Sequence, residues 1–111
     1  MKIRHYSEVP ATELLPGVTR RIAIGPDEGA PNFIMRVFEV EPGRRSPDHT
    51  HPWEHEIFIL AGRGAARDGQ GQETPFGEGS TLFIPAGERH SLSNLGEGVL
   101  RFVCMIPTGV E

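Results

Sequence analysis

The chain has 111 residues, which is enough for one domain with a hydrophobic core and too short for two. Its 14 glycines and 10 prolines interrupt every apolar run well before the ~20 residues of a membrane-spanning helix. Eleven basic and fifteen acidic residues give a net charge of −4, which argues against nucleic acid as a partner, and the single cysteine, Cys104, excludes a disulfide framework. We expect one domain over residues 1–111 with no membrane partner. Since no apolar signal segment follows the N-terminus, we also expect a cytoplasmic location.

The predicted elements are short strands separated by turns. In chain order, runs of β-branched and aromatic residues predict strands at 18–24, 33–41, 57–60, 81–84 and 99–106. The sequence at 68–71, Asp-Gly-Gln-Gly, is typical of a hairpin turn. No window has an apolar stripe at helical spacing that is free of proline and glycine. The pattern predicts an all-β fold, either an antiparallel sandwich or a small barrel.

The last predicted strand has one side that we expect to face the interior. Phe102, Cys104 and Ile106 share one parity, while the other parity includes Arg101. Because side chains alternate between the two faces of a strand, this pattern turns the first three toward the core.

Three of the five histidines, His49, His51 and His55, fall within seven residues. In an extended chain, residues i and i+2 project from the same face, so His49 and His51 present two imidazoles side by side. Pro52 lets the chain turn so that His55 can approach from the next strand, and a further strand can bring His90 alongside. Neutral imidazole binds Mn, Fe, Co, Ni, Cu and Zn ions, so the spacing predicts a metal site without naming the ion.

Two motifs containing glycine and histidine surround these residues and resemble the two motifs of the cupin superfamily. The second, Gly-x5-Pro-x-Gly-x2-His-x3-Asn, is matched at every position. The matching residues are Gly79, Pro85, Gly87, His90 and Asn94.

The first motif, Gly-x5-His-x-His-x3,4-Glu-x6-Gly, is matched from residue 43 through His51 and departs at one position. With six residues between it and Gly62, His55 stands where the motif has a glutamate. Glu56 would satisfy the longer spacing from His51, but it leaves only five residues before Gly62. The glycine register therefore selects His55 as the third ligand.

The segment 49–58, together with 31–36, 40–43 and 104–107, is similar to small single-domain manganese cupins whose site has four histidines. The resemblance implies a single-domain cupin jelly-roll β-barrel, with its motifs at 43–62 and 79–94, and a homodimer. It also implies one Mn2+ per chain, bound by His49, His51, His55 and His90. Fe2+, Zn2+, Ni2+, Co2+ and Cu2+ stay open, because imidazole affinity alone favours Cu or Zn over Mn.

The predicted site is compatible with three functions, because cupins include dioxygenases, isomerases, lyases, hydroxynitrile lyases and sugar-binding regulators. Four neutral imidazoles leave the charge of a divalent ion uncompensated, and around a six-coordinate ion they leave two positions open. Two open positions suit a substrate and O2 together, so a dioxygenase-like oxidoreductase is the first hypothesis. A non-redox Lewis-acid lyase, isomerase or hydroxynitrile lyase is the second. A non-catalytic metal-binding or small-molecule-binding protein is the third, which four histidines closed around tetrahedral Zn2+ would favour.

The cavity next to the metal is expected to be apolar, which suits a small apolar or aromatic substrate. Its predicted lining is Ile57, Ile59, Phe102, Cys104 and Ile106, with Phe38 or Met35 as further candidates.

The charged residues near the site are expected to face away from it. Glu54 and Glu56 flank His55, but alternation turns both aside, so a solvated charge or an acceptor for a ligand N–H is favoured over a catalytic base. On the strand at 33–41, Phe33 and Met35 share a face with Val37, which predicts Arg36 on the outside. A salt-bridged arginine at the dimer interface is thus favoured over a substrate clamp.

Overall fold

A computed structural model of the protein describes residues 1–110. It contains nine strands and two single turns of 3-10 helix, at Tyr6–Glu8 and Pro26–Glu28. The strands are β1 Thr12–Leu15, β2 Val18–Ile24, β3 Phe33–Val40, β4 His55–Ala61, β5 Gly64–Asp68, β6 Glu73–Phe76, β7 Thr81–Ile84, β8 His90–Asn94 and β9 Leu100–Pro107. Along residues 1–110, no helix has the length and apolar character needed to cross a membrane.

The strands form two antiparallel sheets that enclose one core. The larger sheet has the strand order β1-β2-β3-β9-β4-β7, and the smaller has the order β6-β5-β8. Single bridges from Arg45 to Ser93 and from His49 to His90 attach the segment before β4 to the free side of β8. This arrangement confirms the predicted all-β jelly-roll fold.

The five strands predicted from the sequence are all present, and the hairpin turn at 68–71 joins β5 to β6. Strands β1, β5 and β6 were not expected, and all three are short. The side chains of β1 and β6 are mostly exposed. Strand β8 is the additional strand that His90 was expected to need, and His90 is its first residue.

Alternation along β9 confirms its predicted orientation, since Leu100, Phe102, Cys104 and Ile106 are all buried. The core joins these side chains to those of the neighbouring strands. Its members also include Val18, Ile34, Phe38, Val40, Ile57, Ile59, Ile84 and Leu92.

The prediction that Arg36 lies outside is wrong. In β3 the inward face holds Ile34, Arg36, Phe38 and Val40, all buried, whereas Phe33 is 60% exposed. The register with β9 pairs Arg36 with Cys104, and directly paired residues share a face of the sheet. Both faces of β3 contain apolar residues, so its alternation alone does not show which face points inward.

Two motif glycines have the left-handed backbone conformation that residues with a side chain rarely adopt. Gly62, between β4 and β5, has φ of +89°, and a Cβ there would lie 3.0 Å from the carbonyl oxygen of Val99. Gly87 has φ of +84°, and its N–H donates to the carbonyl of His51 at 2.7 Å. This hydrogen bond links the second motif to the first, so it fixes the position of His51 relative to β8.

Candidate metal centre

Backbone pairing brings the histidines of the two motifs together. His49 and His90 face each other in an antiparallel bridge, with N–H···O bonds of 3.2 Å and 3.0 Å in the two directions. Their ring centroids are 4.9 Å apart. The pairing places two imidazoles from distant parts of the sequence on one side of the small sheet.

His51 completes a group of three. Its Nε2 lies 3.0 Å from Nε2 of His49, which suits two nitrogens that each bind one shared ion at about 2.1 Å. Side-chain nitrogens of His49, His51 and His90 all lie within 4.8 Å of one another. These three residues can therefore hold one divalent ion.

His55 borders this group from β4. Its ring centroid lies 4.8 Å from that of His90 and 5.2 Å from that of His51. Its Nδ1 is 3.1 Å from Sγ of Cys104, while its Nε2 is buried with no hydrogen-bond partner. An unpartnered buried imidazole nitrogen is costly in an apolar interior, and a metal ion would satisfy it.

One ring nitrogen of His90 is fixed by a hydrogen bond to the backbone. Its Nδ1 lies 2.9 Å from the carbonyl oxygen of Glu88, a contact in which only the N–H can donate. That bond fixes the tautomer and leaves Nε2 as a lone-pair donor, which is the usual arrangement of a metal-binding imidazole. The donor set thus fits a divalent transition ion, although imidazole alone does not select among such ions.

Three of these histidines, His49, His51 and His55, are held in their neutral form. Burial, together with the neighbouring imidazoles and Arg36, lowers the pKa of His49 to about 4 and that of His55 to about 3. Burial also lowers the pKa of His51, with His90 and Arg36 adding to the effect. Metal binding at neutral pH therefore needs no proton to leave these rings.

The histidine group opens into a cavity of about 390 Å3. The cavity is lined by Leu14, Arg20, Arg36, Phe38, Ser46, Pro47, His49, His51, Trp53, His55, Ile57, His90, Leu92, Phe102, Cys104, Ile106 and Val110. Two flat aromatic contacts shape it. The rings of Phe38 and Phe102 stack at 5.1 Å with an angle of 7°, and Trp53 stacks on His51 at 4.4 Å with an angle of 9°.

Most of the predicted lining is found in the wall of this cavity. The wall includes Ile57, Phe102, Cys104 and Ile106. Of the two further candidates, Phe38 is part of the wall and Met35 is not. Met35 lies on the opposite face of β3 and lines a separate groove beside the N-terminal segment.

One predicted lining residue lies deeper than expected. Ile59 is fully buried in the hydrophobic core and is not part of the cavity wall. It has the parity of His55, but it is four residues further along β4 and thus lies beyond the reach of the cavity.

Sequence reasoning missed two arginines, Arg20 and Arg36, in the wall of the cavity. Nη2 of Arg36 donates to Sγ of Cys104 at 3.0 Å and lies 3.4 Å from Nδ1 of His55. The signal that could have placed Arg36 is the pairing of β3 with β9, because the clear alternation of β9 fixes the inward face of its partner.

The two glutamates beside His55 are absent from the cavity wall, as the alternation predicts. Glu56 is exposed on the outer face of β4. A hydrogen bond with Glu54 raises the pKa of Glu56, and burial and repulsion by Glu54 add to the shift. Neither carboxyl group lines the space where a substrate would bind.

The fold and the site together define the class of this protein. It is a small jelly-roll β-barrel whose two sheets enclose a cluster of histidines that can hold a metal ion. The chain belongs to the cupin domain family, whose profile matches residues 36–106. This membership confirms the superfamily resemblance drawn from the two motifs.

Several proteins are similar to the chain beyond the family profile. The solved structure of the polyketide cyclase RemF from Streptomyces resistomycificus is 34% identical, covering 96% of this chain and 79% of that one, with a TM-score of 0.86. The tetracenomycin polyketide synthase protein TcmJ from Streptomyces glaucescens is 27% identical over 90% of this chain and 67% of its own length. The oxalate-binding protein of Thermotoga maritima is 36% identical over 66% of this chain, which spans only 60% of that protein.

Proposed function

We propose that this protein is a metal-dependent cyclase that closes rings in a poly-β-ketone, the chemical class from which aromatic polyketides are built. The observation behind the proposal is the histidine group at one side of a cavity that is lined largely by aliphatic and aromatic side chains. The similarity to RemF, a polyketide cyclase, supports this reaction over the other non-redox reactions considered from the sequence.

We further propose that His55 is the fourth ligand, beside His49, His51 and His90. Its buried and unpartnered Nε2 supports this role, and its Nδ1 is already engaged by Cys104. Mn2+ remains the first candidate ion, on the resemblance to four-histidine manganese cupins.

When bound, the ion would act as a Lewis acid toward a carbonyl oxygen and so increase the acidity of the neighbouring C–H bonds. The protein would supply the shape of the site. The stacked rings of Phe38 and Phe102 form an apolar part of the cavity wall against which a folded polyketone chain can lie. Ile57 and Ile106 exclude water from the same space, which favours the compact conformation needed for ring closure.

An oxygenase-type reaction is the second candidate. One observation favours it: among the described residues in the cavity wall, there is no carboxylate or lysine to act as a general base at carbon. Oxygen chemistry at a redox metal does not require such a base, whereas enolisation of a ketone does. A polyketone is itself a strong carbon acid, however, and this lowers the demand on the protein.

The two reactions differ in mass balance. The metal-loaded protein would be incubated with a linear aryl 1,3,5,7-tetraketone under air and under argon, with mass spectrometry of products and an oxygen electrode. A cyclase gives a product lighter by one water at equal rates in both atmospheres. An oxygenase gives a product that has gained oxygen, only under air. Binding of the tetraketone without any product would overturn both and leave a binding protein.

The predicted homodimer also remains a proposal, now supported by the outer face of the large sheet. Phe33, Phe58 and Phe83 are 60%, 47% and 63% exposed there, on three strands of the same sheet. Exposed aromatic residues on a continuous face are typical of a contact between subunits. Sedimentation equilibrium should give a dimer mass that Phe83→Asp reduces to that of a monomer, and a wild-type monomer would refute the dimer.

A further inference from the structure

Cys104 lies at the centre of a side-chain contact that joins three strands of the large sheet. Its strand, β9, lies between β3 and β4, and the register pairs Cys104 with Arg36 on one side and with Ile57 on the other. His55 is two positions before Ile57 on β4, so it shares the same inner face. Cys104, His55 and Arg36 are all buried. Polar atoms at this depth need partners within the protein.

The sulfur of Cys104 is placed to accept hydrogen bonds. Nη2 of Arg36 lies 3.0 Å from Sγ, and a guanidinium group can only donate. Nδ1 of His55 lies 3.1 Å from the same sulfur. When Nδ1 has the ring proton, Sγ accepts from both neighbours, and Nε2 of His55 keeps a lone pair for a metal ion. When Nε2 has the proton instead, that nitrogen cannot bind an ion.

A further contact shows why the acceptor on Cys104 matters. Nη2 of Arg36 also lies 3.4 Å from Nδ1 of His55. A guanidinium N–H that donated to Nδ1 would hold the ring in the opposite tautomer, with its proton on Nε2. The sulfur accepts from Arg36 at the shorter distance of 3.0 Å and gives an Nδ1–H an acceptor at 3.1 Å. It therefore favours the tautomer in which Nε2 is bare.

We propose that Cys104 is a positioning residue for the metal centre, and that its sulfur holds His55 in the tautomer and orientation that leave Nε2 available to the ion. This inference rests on the proposal that His55 is the fourth ligand. His90 has an equivalent support, because its Nδ1 donates to the carbonyl of Glu88 at 2.9 Å. Removal of such a partner typically costs about 10–100-fold in metal affinity. A buried cysteine that only filled space would have no such effect.

The first measurement is metal affinity, by competition with a chromophoric chelator, for Zn2+ and Mn2+ in turn. Cys104→Ala removes the acceptor and should weaken binding by about 10–100-fold. Cys104→Ser keeps an acceptor at the same position and should stay within about threefold of the wild type. Ile106→Val is the matched control, because it changes the next inward residue of β9, which also lines the cavity. It should leave the affinity unchanged.

The second measurement observes the ring of His55 in the metal-free protein. Nitrogen-15 NMR of histidine-labelled protein at pH 7.5 distinguishes a protonated ring nitrogen from a bare one, and His55→Asn assigns the signals. We expect a protonated Nδ1 and a bare Nε2 in the wild type and in Cys104→Ser. In Cys104→Ala the proton should move to Nε2, because Arg36 then donates to Nδ1. A loss of packing alone would not move this proton.

Three results would overturn the proposal. The first is a protonated Nε2 in the wild type, and the second is a metal affinity of Cys104→Ser as low as that of Cys104→Ala. The third is a Cys104→Ala protein that is less stable but keeps the wild-type affinity and tautomer, which would leave Cys104 a packing role only. A bare Nε2 in the wild type together with an unchanged metal affinity of His55→Ala would instead refute the fourth ligand. The tetraketone assay tests the cyclase reaction separately, so these failures can be told apart.

Discussion

The two faces of the large sheet are built from the same strands, yet their chemistry differs. On the inner face, Phe102 and Cys104 are each 3% exposed and border the cavity. On the outer face, Phe58 and Phe83 are about half exposed or more. Both faces therefore have apolar residues, and the faces differ in how deeply these side chains are buried.

The charges on the two faces are also arranged differently. Outside, Glu39 accepts hydrogen bonds from Arg21 at 2.7 Å and Arg101 at 2.9 Å. Partial burial opposes ionisation of Glu39, but the bonds from Arg101 and Arg21 outweigh it and hold its pKa below the usual range. Inside, arginines and imidazoles line the cavity with no carboxylate among the described lining residues. The outer charges thus stabilise the fold as ion pairs centred on Glu39, whereas the inner arginines border the cavity beside the histidines.

The largest expected effect tests the difference in burial. Phe102→Ala should lower the free energy of unfolding by about 3–5 kcal/mol, because it removes a buried ring and leaves a void beside Phe38. The matched change on the outer face, Phe58→Ala, should cost less than about 1 kcal/mol when the oligomeric state is kept constant. Urea unfolding followed by circular dichroism measures both. Similar losses for the two variants would contradict the assignment of the faces.

The same contrast shows how far the sequence alone determines the fold. In β9 one parity is apolar and the other includes Arg101, so alternation identified the buried face. In β3 each parity has one charged residue, Arg36 or Glu39, and both have apolar side chains. The choice between them depends on pairing with β9, a long-range contact that local alternation does not encode.

The candidate site was predictable to a similar degree. The spacing of His49, His51 and His90 relative to the motif glycines located three residues that lie within 4.8 Å of one another. The position of Gly62 pointed to His55 instead of Glu56, and β4 places His55 on the inner face. The contact between Arg36 and His55, residues 19 positions apart, could not be predicted, because it depends on the pairing of both β3 and β4 with β9.

The second prediction uses neighbouring residues on opposite faces. Removing a residue that only hydrogen-bonds to a metal ligand costs roughly 10–100-fold in metal affinity. His55→Ala should reduce metal affinity by more than that, because it removes a proposed ligand itself. Glu56→Ala should change affinity less than threefold, because Glu56 lies on the outer face. Competition with a chromophoric chelator, with Mn2+ and Zn2+ in turn, measures both. A larger loss for Glu56→Ala would replace the four-histidine site with one of three histidines and a glutamate.

The third prediction separates the faces by pH. In the metal-free protein the pKa of His49 is lowered to about 4 and that of His55 to about 3, while an unfolded histidine titrates near 6.5. The unfolded state therefore binds more protons in this range, so stability should fall as the pH decreases from 6.5 toward 4. Glu39 has a lowered pKa, so the ion pairs of this outer carboxylate contribute to acid unfolding only below its usual value of 4.5.

Thermal unfolding of the metal-free protein between pH 7.5 and pH 5 isolates the contribution of the inner face. The melting temperature should decrease across this range, and His55→Asn should make the decrease smaller. His5→Asn, which changes an exposed histidine outside the cavity, is the control and should leave the slope unchanged. A melting temperature that does not vary between pH 7.5 and pH 5 would show that the buried imidazoles are not held neutral.

The smallest expected effect concerns the acidic pair on the outer face. Because Glu54 raises the pKa of Glu56 through a hydrogen bond and charge repulsion, Glu56→Gln should increase stability slightly at pH 7, by no more than about 0.5 kcal/mol. In 1 M salt the gain should shrink, since exposed charges are screened over short distances. Glu13→Gln, an exposed change on the edge strand β1, gives the baseline. Metal affinity should be the same in all three proteins, because the sheet separates this pair from the histidines; a change in affinity for Glu56→Gln alone would show that the two faces are coupled.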